Sequence, residues 1–294
     1  MKPTLIAEVS SNHNQDLDRS KAFIKVAADS GCDAVKFQLF KIDQLFSKKV
    51  LDNSEEHQRR KNWELPVSFI PELSNYAHEC GIQFGCTPFY LDAVQELDPY
   101  VDFFKIASYE LLWLDLFNAC GDTGKPFIFS TGMANLDEVE TALQTITKTK
   151  STDITVLKCT SNYPTDPKDV HLESISELRK LAENYGSNIG VGLSDHTRSI
   201  PVILRAIHKY AVSMVEFHLD IDQEGVEYGP GHCWLPEEVK QLRSMIDDGF
   251  AADGDPQFGP SESEQQERTW RADPSDGLRP LLETRHHYLK TIKQ

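Results

Sequence analysis

Two lysines and two histidines in this chain sit where strand-like sequence leaves little room for charge. Lys36 lies inside DAVKFQL (33–39) and Lys105 inside FFKIAS (103–108). A buried ammonium without a partner is costly, so each lysine needs an anion nearby. His196 follows the apolar run IGVGLSD (189–195), and His218 lies near the end of MVEFHLD (214–220). Lysines and hydroxyls together can grip phosphate and carboxylate groups. Paired imidazoles can hold a metal, and carboxylates such as Glu8 and Glu110 can move protons. A single polar residue at a strand exit is weak ground, because loops begin there and are polar in any case. The constellation matters only if many strands end this way and converge.

The elements that would bring them together follow from periodicity. Apolar or β-branched runs occur at TLIAEVS (4–10), DAVKFQL (33–39), IQFGCTP (82–88), FFKIAS (103–108), PFIFSTG (126–132), ITVLKCT (154–160), IGVGLSD (189–195) and MVEFHLD (214–220). Helical spacing fills 17–31, 67–81, 136–148 and 171–186, several of these stretches ending in glycine. The connections at 90–98, 112–122 and 198–211 are weaker but long enough for crossovers. Eight strands alternating with helices over about 250 residues predict a (β/α)8 TIM barrel, with a doubly wound open sheet as the competing fold. In a closed barrel the strand ends share one mouth. They would bring together Glu8, Lys36, Gln38, Thr87, Lys105, Ser108, Glu110, Ser130, Thr131, Lys158, Thr160, Ser194, His196, Glu216 and His218. That inventory suits a phosphorylated substrate, a metal and acid–base chemistry.

Composition narrows the alternatives. The chain has 294 residues and a net charge of −16, with no basic run to neutralise phosphates, which argues against nucleic acid as a partner. No run of 18 apolar residues suggests a membrane span, and the N-terminus lacks a signal-peptide core, so a cytoplasmic location is expected. The six cysteines show no CxxC spacing and are read as reduced and mostly buried.

Several segments resemble the sialic acid synthase family. They are AEVSSNHNQDLDRSKAFIKVAADSGCDAVKFQLFK (7–41), CTPF (86–89), FKIASYEL (104–111), TGKPFIFSTGMANLDEV (123–139), CTSNYPT (159–165), SDHT (194–197) and EFHLD (216–220). The resemblance runs from about residue 4 to 280. It implies the same barrel and condensation of phosphoenolpyruvate with an N-acetylmannosamine-type amino sugar to a nonulosonic acid, with release of phosphate. It also implies a divalent metal, usually manganese with magnesium or cobalt as alternatives, on His196 and His218. The phosphoenolpyruvate site would comprise Lys36, Thr87, Lys105, Ser108, Ser130, Ser161 and Ser194. Gln38 and Tyr163 would face the sugar, and Glu8 or Glu110 would serve as the base. The other histidines, His57 among them, receive no role, and the run Asp220, Asp222, Glu224, Glu227 is read as a solvated acidic loop.

The sequence also departs from the family pattern. Gln15 replaces a glycine in NHNQ, Phe217 a lysine before the second histidine, Gly231 a loop aspartate in GPGHC, and Lys158 a histidine. Relatives commonly continue into a small antifreeze-like domain. Here residues 1–250 are read as the synthase barrel and 251–294 as a linker-like tail with a short terminal helix. A homodimer is expected, with Arg59 or Arg60 of the long loop 41–66, or the loop 220–234 with Tyr228 and Trp234, covering the mouth. Two rivals remain at this stage: a Schiff-base pyruvate aldolase using Lys158, and an inactive sugar- or phosphate-binding barrel.

Overall fold

The computed structural model describes residues 2–186, 188–256 and 258–292. Eight parallel strands close on themselves in chain order, so the fold is the (β/α)8 barrel that the periodicity predicts. They are β1 (Thr4–Ser10), β2 (Ala34–Leu39), β3 (Gln83–Pro88), β4 (Phe103–Ile106), β5 (Phe127–Ser130), β6 (Ile154–Cys159), β7 (Gly190–Asp195) and β8 (Met214–His218), with β8 pairing back onto β1. The three weaker connections are helices too, at Leu91–Leu97, Leu114–Gly121 and Ile200–Tyr210.

Local signals explain where the helices begin and which face they bury. Asp16 accepts a hydrogen bond from the Arg19 amide ahead of helix Leu17–Asp29. Asn135 and Glu138 cap each other's backbone at the start of Leu136–Ile146. That helix buries Val139, Ala142, Leu143 and Ile146, a spacing that places one apolar stripe against the strands. The outward faces of the strands and the inward faces of the helices form the main core, with Phe37, Phe84, Phe104, Phe127 and Phe129 among its largest members.

Inside the barrel, the two-residue period of a strand decides what meets what. Ile6, Ala34, Phe103, Ile128 and Leu157, with Met214 against them, form a separate apolar floor. Gly85 belongs to this layer, because a β-carbon there would lie 2.1 Å from Cζ of Phe103, whose ring crosses the barrel at that point. Two residues further along six of these strands, the same inward face carries Glu8, Lys36, Lys105, Ser130, Cys159 and Glu216, all lining one cavity. The floor is thus dry, and the layer above it is polar.

Residues from Ala251 onward form a second compact unit. The stretch read as linker-like carries local structure: a capped turn at Glu262–Glu264, a short helix at Gln265–Arg268 and the terminal helix Leu282–Ile292. Asp273 accepts from the Leu282 amide, and Arg285 pairs with Asp276. Among the described residues, no helix is long and apolar enough to cross a membrane, and all six cysteines are free, five of them buried.

Candidate active site

The cavity at the C-terminal mouth of the barrel has a volume of about 660 Å³. At its base, Lys36 is ion-paired with Glu8 and lies 3.7 Å from Glu216, while donating to the Thr87 hydroxyl at 3.0 Å. Lys105 lies 3.4 Å from Glu216 and donates to the Ile106 carbonyl at 3.2 Å. Ser194 donates to the other side of this network, reaching Glu216 at 3.0 Å. Both ammoniums are therefore balanced by carboxylates of the barrel itself. Burial still pushes Lys36 down to about 8. Burial pushes Glu216 up, but Lys105 and Lys36 outweigh it and hold the carboxyl below its ordinary range.

A hydroxyl cradle adjoins the lysines. Gly132 follows β5, and a β-carbon there would lie 2.1 Å from Oγ of Ser161 and 2.8 Å from Oγ of Ser108. The bare backbone lets those side chains close over it, and its amide donates to Ser108 Oγ at 3.0 Å. The Ser130 and Ser161 hydroxyls are buried without a hydrogen-bond partner. Orphaned buried hydroxyls cost free energy unless a ligand meets them. Glu110, on the 3-10 turn Ser108–Glu110, also has a buried carboxylate oxygen without a partner. Burial raises its carboxyl to about 7, with Lys105 opposing the shift.

An imidazole cluster lies in the same cavity. His196 Nδ1 donates to the Thr160 carbonyl at 2.8 Å, and His218 Nδ1 donates to the Glu227 carboxylate at 3.0 Å. Each contact places the proton on Nδ1 and leaves the Nε2 lone pair available, the arrangement of metal-binding histidines backed by a carbonyl or carboxylate. Burial lowers His218 to about 4, so the ring is neutral at neutral pH. The ring centroids of His196 and His218 are 5.3 Å apart, and Tyr163 lies 4.1 Å from His196. The donor set thus suits a divalent cation of borderline character.

Most residues named from the sequence meet here, including Gln38, Ser108, Glu110, Tyr163 and Ser194 on the cavity wall. Lys158 does not. It is one residue out of phase with Leu157 and Cys159, so it leaves the strand on the helix-facing side and lines a separate smaller cavity with His171 and Glu177. Phe217 is likewise out of phase with the site, packing its ring 5.7 Å from Trp234. Trp234 is itself buried, so it is a core residue and not a cover. Arg59 points to solvent, paired with Glu55, while Arg60 lines the cavity between Phe46 and Trp63.

The acidic run is not a uniformly solvated loop either. Arg19 holds Asp222 through two bonds at 2.5 and 2.8 Å and reaches buried Asp220 at 3.3 Å. Asn12 receives the Glu227 amide and donates to the Leu219 carbonyl, folding the segment back over β1. This fold brings Glu227 and His232 into the site, although no role was expected for His232; His57 also reaches the wall. The signal that could have found them is the clustering of Glu, His and Cys in EYGPGHC (227–233) directly after His218.

Comparison with known proteins gives the family and agrees with the barrel fold. The NeuB family model matches residues 23–257. The chain is 36% identical to N,N'-diacetyllegionaminic acid synthase of Campylobacter jejuni, over 90% of its own length and 82% of that protein. It is 30% identical to human N-acetylneuraminate-9-phosphate synthase, over 81% of this chain and 69% of that one. The crystal structure of N-acetylneuraminic acid (sialic acid) synthetase from Leptospira borgpetersenii superposes with a TM-score of 0.77 at 28% identity, covering 94% of this chain and 93% of that chain.

Proposed function

Because the chain belongs to the NeuB family, we propose that it condenses phosphoenolpyruvate with an N-acetylmannosamine-type amino sugar, forming a nonulosonic acid and releasing phosphate. The observation that carries this reading is the pair of orphaned hydroxyls, Ser130 and Ser161, beside two buried lysines in one closed cup. Lys36 and Lys105, with Thr87, Ser108, Ser130, Ser161 and Ser194, bind the phosphate and carboxylate of phosphoenolpyruvate. Gln38 and Tyr163 face the sugar. His196 and His218 hold a divalent metal, manganese first with magnesium or cobalt as alternatives, which when bound supplies Lewis-acid polarisation of the sugar carbonyl.

The carbon–carbon bond forms between the enol carbon and the sugar aldehyde carbon. The aldehyde oxygen takes a proton and becomes a hydroxyl, water adds to the cationic carbon that bears the phosphate ester, and the C–O bond to phosphate breaks as that carbon becomes the ketone. Glu110, with its carboxyl near neutrality, takes the proton of that water. Glu8 is ion-paired with Lys36 and accepts from the Ser10 amide at 2.7 Å, which suits it to positioning Lys36 better than to proton transfer. The Schiff-base reading loses its lysine, since Lys158 lies outside the cup. A cytoplasmic homodimer is part of the same proposal.

Release of inorganic phosphate from phosphoenolpyruvate, measured against a panel of amino sugars, tests the reading. Phosphate should appear only with an acceptor present, stop on addition of EDTA and return with manganese. Activity that survives EDTA, or a pyruvate adduct trapped on lysine by borohydride, sinks it. The loop holding Arg60 gives a second expected result. Its guanidinium sits 5.4 Å from the Trp63 ring and its Nε is buried without a partner. Arg60→Ala should raise the KM for the sugar about tenfold, the loss of one charged hydrogen bond, with the KM for phosphoenolpyruvate unchanged. Arg59→Ala, at a side chain 77% exposed, should behave like the wild type in the same steady-state assay.

A further inference from the structure

His218, Glu227, His232 and Cys233 each place a possible ligand atom within 4.8 Å of all the others. Two of the four already have their donor atoms engaged. Glu227 takes the Ser10 hydroxyl on Oε1 at 2.5 Å and His218 Nδ1 on Oε2 at 3.0 Å. Cys233 Sγ donates to the Glu227 carbonyl at 3.3 Å and lies 3.6 Å from Asn12 Nδ2. His232 differs. It is 3% exposed, its Nε2 lies 3.8 Å from Glu227, and its Nδ1 is buried with no partner. An unpartnered imidazole nitrogen in a polar cavity, next to two histidines whose Nε2 lone pairs are free, is an unmet donor of the kind a cation would take.

The ring spacings agree with a shared ion. Two imidazoles bound through nitrogen to one metal at about 2.1 Å hold their centroids roughly 4.6 to 6.5 Å apart, for bond angles between about 90° and 180°. The three pairs here are 5.3 Å for His196 and His218, 4.7 Å for His218 and His232, and 6.3 Å for His196 and His232. We infer that His232 supplies a third imidazole to the metal centre, and that Glu227 is the positioning carboxylate shared behind His218 and His232. The loop that carries both residues is tied down by Asn12 and Arg19, so the third ligand arrives preorganised from outside the barrel strands.

This inference rests on the metal-dependent reading above, and manganese binding by the apoprotein separates the two. With free manganese followed by its electron paramagnetic resonance signal, His232→Ala and His232→Gln should each weaken binding tenfold or more. Glu227→Gln should weaken it within the roughly 10- to 100-fold range of a lost outer-shell partner. Spin-echo modulation on manganese-loaded wild-type protein should count three coordinated imidazoles, a readout that needs no variant to fold. Two imidazoles, or wild-type affinity in both His232 variants while His196→Ala loses the metal, overturns the third ligand and leaves the synthase reading standing. A wild-type protein that binds no manganese removes both.

Discussion

Lys105→Ala should weaken phosphoenolpyruvate binding by roughly two orders of magnitude or more, the scale of removing one partner from a buried charge pair at about 3–5 kcal/mol. Lys105 is buried and lies 3.4 Å from Glu216. Its loss removes a cation from the ligand and also leaves Glu216 facing only Lys36 at 3.7 Å and the Ser194 hydroxyl. Part of the effect will therefore appear as instability of the free protein. The double variant Lys105→Ala/Glu216→Gln separates the two contributions: it should recover much of the melting temperature but none of the affinity. Calorimetry with phosphoenolpyruvate, and the rise in melting temperature that a ligand of the folded state produces, give the measurement. An affinity within threefold of wild type in Lys105→Ala would remove the lysine from the phosphate grip.

The second large effect lies in the pH profile. With Glu110 near 7, a base role requires the deprotonated form, so kcat/KM should rise as pH climbs through about 7. Lys36 titrates near 8 and binds the anion as an ammonium, so kcat/KM should fall as pH passes about 8. The expected profile is a narrow bell between those limbs. Glu110→Gln should lower kcat by roughly 10²- to 10⁴-fold, the usual contribution of a positioned acid or base. It should also erase the acid limb while keeping the alkaline one. If the acid limb persists in Glu110→Gln, another group carries the proton, and Glu8 is the next to examine.

The closed barrel was legible in the sequence because eight β-rich runs and their helical spacers are both local signals. The cup was legible as far as strand phase could be counted. Lys36, Lys105 and Ser130 each lie two residues beyond an apolar floor residue, Ala34, Phe103 and Ile128. Lys158 was misplaced because a strand end suggests a mouth without telling which side of the strand faces it. Only the inward Leu157 fixes that phase. Glu216 stood in view, but its partnership with both lysines depends on β1, β2, β4 and β8 meeting across a closed circle. His232 could not be placed by periodicity at all. Its position depends on Asn12 and Arg19, more than 200 positions away in the chain, bending an acidic loop over β1. Contacts of that range leave no periodic trace in the sequence.

Gln15 stands where a family glycine was expected, at a left-handed turn with φ 55°. Its side-chain amide donates to the backbone carbonyls of Lys61 and Glu64 at 3.1 and 2.9 Å, hanging the loop 41–66 from the start of the barrel. A grip on main-chain oxygens is blind to the side chains of what it holds. The wall formed by Phe46, His57, Arg60 and Trp63 can therefore be rewritten by mutation while its hinge to the barrel keeps the same two bonds.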